Sequence, residues 1–590
     1  MPEQRNLVLA IVLSVTIIIA FQYFYELPRL QEEQRRQAAV EESMGGSTGL
    51  TPSPTPSVSG AGTQGAAPAV PGSVPTGQPI EASRDTIIAD DTRIAIDNGR
   101  LTGSFALTGG RIDDIVLTDY KVSIEDEAAD VTLFNPAGSP NAYFAEFGWT
   151  PAPENQDAVV PNQETVWTAD NSELRLDQPV TLTWDNGQGL TFERQLAIDQ
   201  DYLITVTQRV LNKGDDTVTL YPYGLVRRWG TPEISGFFIL HEGPMGVFNE
   251  QLTEVDYSDL QEENGKFEEQ SQSGWLGISD KYWLAALIPD QSVEFTAKFQ
   301  HYLSNGEDRY QTDYLRPAMT VPAGGSVEIT DRLYAGAKEL DKLDAYAADF
   351  NIPLFDRAID FGWFYWLTKP IFYFLHFAYG WVGNYGVAIL ILTLLVKLLF
   401  FPLANKSYRA MSQMKKLQPE MTRIREQAGD DKMRMQKEMM ELYKKEKVNP
   451  MSGCLPILVQ IPVFFALYKV LFVSIEMRHA PFFGWVQDLS APDPTSMFNL
   501  FGLLPFDPPS FLMIGIWPLL MGITMFLQTK LNPQPADPIQ AKVMLFLPLM
   551  FIFLFATFAA GLVIYWTWNN VLSIAQQWVI MRRMGVKVNE

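Results

Sequence analysis

Tyr385 to Leu403 reads YGVAILILTLLVKLLFFPL, an apolar run whose single charge is Lys397. Its length is close to the ~20 residues that cross a bilayer as a helix. Four more apolar segments follow: Cys454 to Val473, Ser510 to Gln528, Val543 to Phe558 and Gly561 to Ile580. Between the first two lies 404–449, a basic, methionine-rich helical stretch broken by Ala428-Gly429-Asp430-Asp431, which predicts a helical hairpin. Far upstream, Leu7 to Tyr25 (LVLAIVLSVTIIIAFQYFY) is equally apolar. It ends in aromatic residues without a small-x-small cleavage pattern, so it reads as a retained anchor. Six spanning helices are expected. Trp363 to Val382 (WFYWLTKPIFYFLHFAYGWV) is also long, yet Lys369, Pro370, His376 and many aromatic residues suit the membrane surface, and an interfacial amphipathic helix is expected.

The N-terminal half has another character. Ser43 to Ile80 is rich in Pro, Gly, Ser, Thr and Ala and cannot offset its ordering entropy by burial, so 26–80 reads as a tether after the 1–25 anchor. From Thr86 to about Ala335 apolar and polar residues alternate around Asn-Gly, Gly-Gly and Lys-Gly-Asp turn signals, as in VTLTWDNGQGLTFERQLAI. This predicts a large all-β sandwich over 81–355. Its last part, Ala337 to Phe355, is a helical connector with Leu340, Leu343, Tyr346 and Phe350 at helical spacing. The interfacial helix then occupies 356–383 and a five-span core 384–590. The fold class is therefore an α-helical polytopic membrane bundle joined to an all-β domain.

Charge orients the whole. Residues 26–383 carry about 24 basic and 54 acidic residues, and 384–590 about 20 and 13. About twelve Lys and Arg fall in 404–449, against only Arg478 in the long loop Ser474 to Pro509. The basic loops and both termini are expected in the cytoplasm, with the acidic β-domain outside. Arg29, Arg35 and Arg36, which follow the first helix, run against this assignment. The one cysteine, Cys454, excludes an internal disulfide framework. No Walker loop, zinc spacing or dinucleotide fingerprint occurs, and His241 and His301 stand in no catalytic spacing, so neither enzyme activity nor a cofactor is expected.

Candidate functional residues are the polar groups inside apolar helices. Lys397 lies about five residues from its helix end, roughly 8 Å inside the boundary at about 1.5 Å per residue. It either snorkels its ammonium to the interface or faces a watery cavity. Thr393 shares its face, and Gln460, Thr524, Asn569, Asn570, Ser573 and Gln577 come from other helices. Taken alone, such a stripe suits a hydrated groove and ordinary helix-helix hydrogen bonding equally. On the hairpin, Met411, Met414, Met421, Met433, Met435, Met439 and Met440 offer adaptable apolar surface. Lys415, Lys416, Arg423, Arg425, Lys432, Arg434 and Lys437 beside them attract acidic partners. A transporter or channel is the competing reading, but Lys397 is the one deep charge and no inverted repeat is found.

DDKMRMQKEMMELYKKEKVNPMSGCLPILVQIPVFFALYKVL (Asp430 to Leu471), RHAPFFGWVQDLSAPDP (Arg478 to Pro494) and GLVIYWTWNNVLSIAQQWVI (Gly561 to Ile580) closely resemble the YidC family of membrane protein insertases. The resemblance runs in register through the second half. The anchor and β-domain resemble its Gram-negative branch, which implies a bacterial inner-membrane protein whose periplasmic domain is a β-supersandwich. The family implies insertion and folding of nascent membrane proteins, alone or with the Sec translocon, through a hydrophilic groove open to cytoplasm and lipid. Lys397 then stands where the family commonly has arginine, which keeps the charge but not a bidentate fork. A hydrophobic slide is implied at Ile461, Phe464, Tyr565 and Trp566, with family methionine and tyrosine replaced at Ile461 and Trp566. The resemblance also implies cytoplasmic contacts with the ribosome, the signal-recognition-particle receptor and membrane lipids.

Overall fold

The computed structural model describes residues 70, 82–234, 240–262, 266–304, 306–429, 431–446, 448, 455–501, 504, 506, 508–509, 513–532 and 538–585. The expected anchor, Cys454 and nearly all of the tether lie outside these residues. Two sheets form the β-domain. The larger has the spatial order Lys266–Ser271, Phe295–Ser304, Glu307–Leu315, Val218–Trp229, Tyr143–Pro151, Ile112–Lys121, Leu101–Ala106, Arg93–Asp97 and Glu173–Leu174, with two further strands off this path. The second runs Gln251–Glu254, Gly243–Phe248, Gly274–Ser279, Trp283–Ile288, Ser326–Ala337, Leu203–Asn212, Leu190–Ile198, Val180–Asp185 and Thr168–Ala169.

Local chemistry explains the strands. In Leu203–Asn212, Val206, Gln208 and Val210 turn inward while Arg209 stays exposed, the two-residue period of a pleated strand. At the first hairpin Gly99 takes φ +90°, and the Asn98 carboxamide oxygen accepts from the Leu101 N–H at 2.7 Å. The two inner faces share a core in which Trp275, Tyr202, Tyr310, Tyr314 and Tyr334 are fully buried. Some charges inside it are paired, Arg93 with Asp113 and Arg316 Nη1 with Asp331 Oδ1 at 3.2 Å, while Lys338 Nζ bonds Ser279 Oγ at 3.0 Å.

Among the described residues ten α-helices follow: α1 (Leu340–Phe350), α2 (Tyr365–Val382), α3 (Tyr385–Leu399), α4 (Phe401–Lys416), α5 (Gln418–Ala428), α6 (Lys432–Lys445), α7 (Leu455–Val473), α8 (Ile516–Leu531), α9 (Pro538–Phe555) and α10 (Ala560–Arg583). α1 lays Leu340, Leu343 and Tyr346 against the sandwich, and Arg332 covers Phe350 at 4.0 Å. α2 buries Thr368, Ile371, Phe372, Leu375 and Ala378, a helical stripe facing α3 and α7, while Trp366, Phe377 and Trp381 stay exposed. Lys369 joins α2 to the β-domain side through Asp344 at 3.0 Å and Asp356 at 2.8 Å.

α10 is the hub of the bundle, packing on α3, α4, α7 and α8, with α9 beyond α8. Among the described residues no single helix is long and apolar enough to cross a membrane. α3 and α4 are so together, bent by 70° around Phe400. Within α7 and α9 the described apolar stretches are Val459–Val473 and Lys542–Phe555. Pro402 stands in the first turn of α4, just after the bend, where its missing N–H costs no helical hydrogen bond.

Candidate functional site

The polar residues of the bundle meet where α3, α7, α8 and α10 converge. A lysine in an apolar helix needs a partner, and Lys397 Nζ donates to Ser573 Oγ on α10 at 2.6 Å. Ser573 Oγ in turn donates to the Asn569 carbonyl one turn earlier at 2.8 Å, so the hydroxyl relays between ammonium and backbone. The Gln460 side chain on α7 donates to the Asn569 carboxamide. On the far side, Asn570 Nδ2 donates to Thr524 Oγ1 of α8 at 3.2 Å, and Gln577 Nε2 to Asn532 Oδ1 at 3.2 Å. Asn569, Asn570, Ser573 and Gln577 are all buried because their offsets of one to four keep them on one face of α10. Thr393 is buried too, but its hydroxyl donates to the Ile389 carbonyl at 2.7 Å and not to Lys397.

Lys397 has no carboxylate partner among the described residues. A cavity of about 30 Å³ opens beside it, lined by Val396, Phe400, Ala404, Tyr408, Val459 and Gln460 among others. That is room for about two waters. The polar residues thus form a closed seam with a small pocket at its α4 end. At the opposite end the loop after α7 caps the bundle. Asp493 Oδ2 accepts from the Trp517 N–H at 2.9 Å, and the Leu489 and Ala491 carbonyls accept from Gly561 and Ala560 at 3.0 and 2.7 Å.

The slide residues divide. Ile461 is exposed, and Phe464 meets Trp566 edge-to-face with centroids 4.8 Å apart. Tyr565 departs from the expectation: it is 2% exposed and sits inside the bundle. Trp566, about 100° further round α10, is half-buried. On the hairpin helices, Met421 and Met439 are buried together with Leu442 as the α5–α6 contact, and Met435 packs against them. Met411 packs on Ala404, Tyr408 and Ile580, Met414 is half-buried, and Met433 and Met440 remain exposed. Lys415 and Lys416 donate to the carbonyls of Lys530 at 3.5 Å and Met584 at 2.7 Å, at the C-terminal ends of α8 and α10 where a cation is favoured. Arg434 pairs with Glu438 at 2.8 Å, while Arg423 and Arg425 are exposed.

Sequence reasoning missed Tyr408, Asn532 and the Gln576–Asn405 pair at 3.3 Å. Gln576, three residues after Ser573, was findable from the same helical offset; Tyr408 was not, because it reaches the seam only through the bend at Phe400.

The sequence signature described as the YidC periplasmic domain matches residues 93–374, and that of the 60Kd inner membrane protein matches 377–587. The chain belongs to the YidC family. A membrane protein insertase YidC of Methylobacterium radiotolerans is 48% identical over 99% of this chain and 96% of its own length. Those of Bradyrhizobium diazoefficiens and Rickettsia felis are each 47% identical, covering 100% and 98% of this chain and 97% and 98% of their own. A crystal structure of an active YidC insertase aligns over 83% of this chain and 95% of its own at 17% identity, with a TM-score of 0.35. YidC proteins are inner-membrane proteins with a periplasmic domain, so the two-sheet domain is the periplasmic part and the helical region the membrane part of this chain.

Proposed function

We propose that this membrane protein insertase works, alone or with the Sec translocon, through the seam headed by Lys397, which opens as a hydrophilic groove to cytoplasm and lipid. The carrying observation is the Lys397 ammonium inside an apolar helix, held by a neutral hydroxyl at 2.6 Å and not by a carboxylate among the described residues. A charge at the bilayer centre costs about 3 kcal/mol or more, so a polar tail crosses more readily when the inner half of its path is wet and cationic. An unneutralised ammonium attracts an acidic tail, and a single point charge without a fork releases it again. The pocket of about 30 Å³ is too small for a peptide, so the helices must part for the groove to form.

In this reading six helices span, the anchor included, and both termini and the 404–449 hairpin are cytoplasmic. α2 lies in the outer interface with Trp366 and Trp381 toward lipid. Ile461, Phe464 and Trp566 form the apolar wall along which the substrate's hydrophobic segment leaves. Exposed Met433 and Met440 with Arg423 and Arg425 receive nascent chains, the ribosome, the signal-recognition-particle receptor and lipid headgroups. Two measurements test this. Lys397→Glu should impair insertion of substrates with acidic outer tails while the protein persists in the membrane, and normal insertion in cells depleted of other copies would refute the groove. Photo-crosslinkers at Phe464 and Trp566 should trap a stalled, ribosome-attached membrane segment.

A further inference from the structure

α7, which supplies Gln460 and Ile461 to the seam, is held very differently at its two ends. At the outer end Lys469 Nζ stands 2.6 Å from Asp360 Oδ2, with side-chain exposures of 12% and 20%. Asp360 is itself fixed from two more directions: Oδ2 accepts from the His241 backbone N–H of the β-domain at 3.2 Å, and Oδ1 from the Gly362 N–H at 2.9 Å. Gly362 has φ +69°, and a Cβ there would lie 2.8 Å from Lys469 Cε, so the lysine stem runs across bare backbone. One turn on, Lys281 of the β-domain places its ammonium 3.8 Å over the Phe472 ring. Ala466, Leu467, Val470 and Leu471 around these ties are buried.

Among the described side chains no such ion pair holds the inner end. Ile461 is 42% exposed, and Gln460 holds on through one side-chain bond to Asn569. Between the two halves stands Pro462, inside the helix. It has no N–H to offer the carbonyl of residue 458, and its ring crowds that carbonyl, so the helix is weakest there.

We propose that Lys469 and Asp360 are positioning residues, a clamp by which the periplasmic domain holds the outer half of α7 still while the inner half swings about Pro462 away from α10 to admit substrate. This rests on the groove reading and assigns its moving part. A clamp fixed at one end and a hinge two turns away converts the loss of one bond, Gln460 to Asn569, into an opening, and the helix stays seated as it moves.

The test uses the full chain in lipid nanodiscs, with spin labels on the native Cys454, directly before α7, and on Val579→Cys of α10. A stalled ribosome-attached membrane segment should lengthen that distance by about 5 Å, the spacing at which one extended chain lies beside another. Pro462→Ala, which favours an unbroken helix, should abolish the lengthening and slow insertion several-fold. Asp360→Asn should broaden the distance distribution without substrate and slow insertion likewise. Should Asp360→Asn fail to fold, Pro462→Ala decides alone. The clamp and hinge are overturned if folded Pro462→Ala keeps the lengthening, or if folded Asp360→Asn leaves the distribution and insertion unchanged. If Lys397→Glu still blocks insertion in that event, the groove stands and only its moving part is wrong; if Lys397→Glu inserts normally, the groove itself has failed.

Discussion

The β-domain and the helical bundle bury opposite things. In the sandwich the exposed large apolar residues, such as Val122, Leu176 and Leu303, are scattered, and several buried charges stand in ion pairs such as Arg316 with Asp331. In the bundle whole faces are apolar and exposed: α9 alone presents Phe546, Leu549, Met550 and Phe553, while the interior gathers amides, hydroxyls and a lysine. A surface of that kind is far larger than the patches soluble proteins tolerate. The lesson is that one chain is built for two solvents. Water rewards hiding carbon, whereas lipid gives no such reward between helices and leaves packing and polar contacts to hold them together.

Perturbations separate the two regions. The largest effect is expected from Asp331→Ala, which leaves the buried Arg316 only the half-exposed Asp290 at 4.0 Å and should cost about 3 kcal/mol, read by urea unfolding of the full chain in detergent. Phe546→Asp on the outer face of α9 should cost about 2.5–3.5 kcal/mol of membrane insertion, while Leu303→Asp, equally exposed on the sandwich, should shift stability by no more than about 0.5 kcal/mol. Equal sensitivity at the two positions would remove the contrast. Where the regions join, Glu476 follows α7 in the outer loop; burial first, then the nearby Glu339 and Asp341 carboxylates, push its carboxyl up from 4.5 to about 8. A raised acid favours the folded state in its protonated form. Its contribution is complete below about pH 4.5, is lost as pH rises through about 8 and is flat above. Thermal unfolding should therefore fall more steeply with pH in the parent chain than in Glu476→Gln, and matching profiles would contradict this. The smallest effect belongs to Thr524→Val, which removes the 3.2 Å bond from Asn570 and should cost only about 0.6 kcal/mol, typical of hydrogen bonds between membrane helices.

Much of this architecture was legible because its signals are local. Alternation in Leu203–Asn212, the Asn98-Gly99 turn and the apolar runs of α3, α7 and α10 are read from neighbours in sequence. The 404–449 stretch was legible as helix, but the buried roles of Met421 and Met439 were not, since composition alone does not say which methionines two helices will share. The aromatic identity of Tyr565 and Trp566 was plain, whereas their facing depends on how α10 is rotated, which its neighbours set.

From the residues in order one obtains a β-rich acidic half, an apolar half with one deep cation, and the family to which both belong. What only the tertiary structure decided is pairing: Ser573 for Lys397 across 176 positions, Asp360 for Lys469 across 109, and the bend at Phe400 that brings Tyr408 to the seam. Periodicity and hydropathy are properties of a segment and its solvent. A partner far along the chain is chosen by which helix faces meet, and a buried polar group takes whichever donor or acceptor that packing brings within reach.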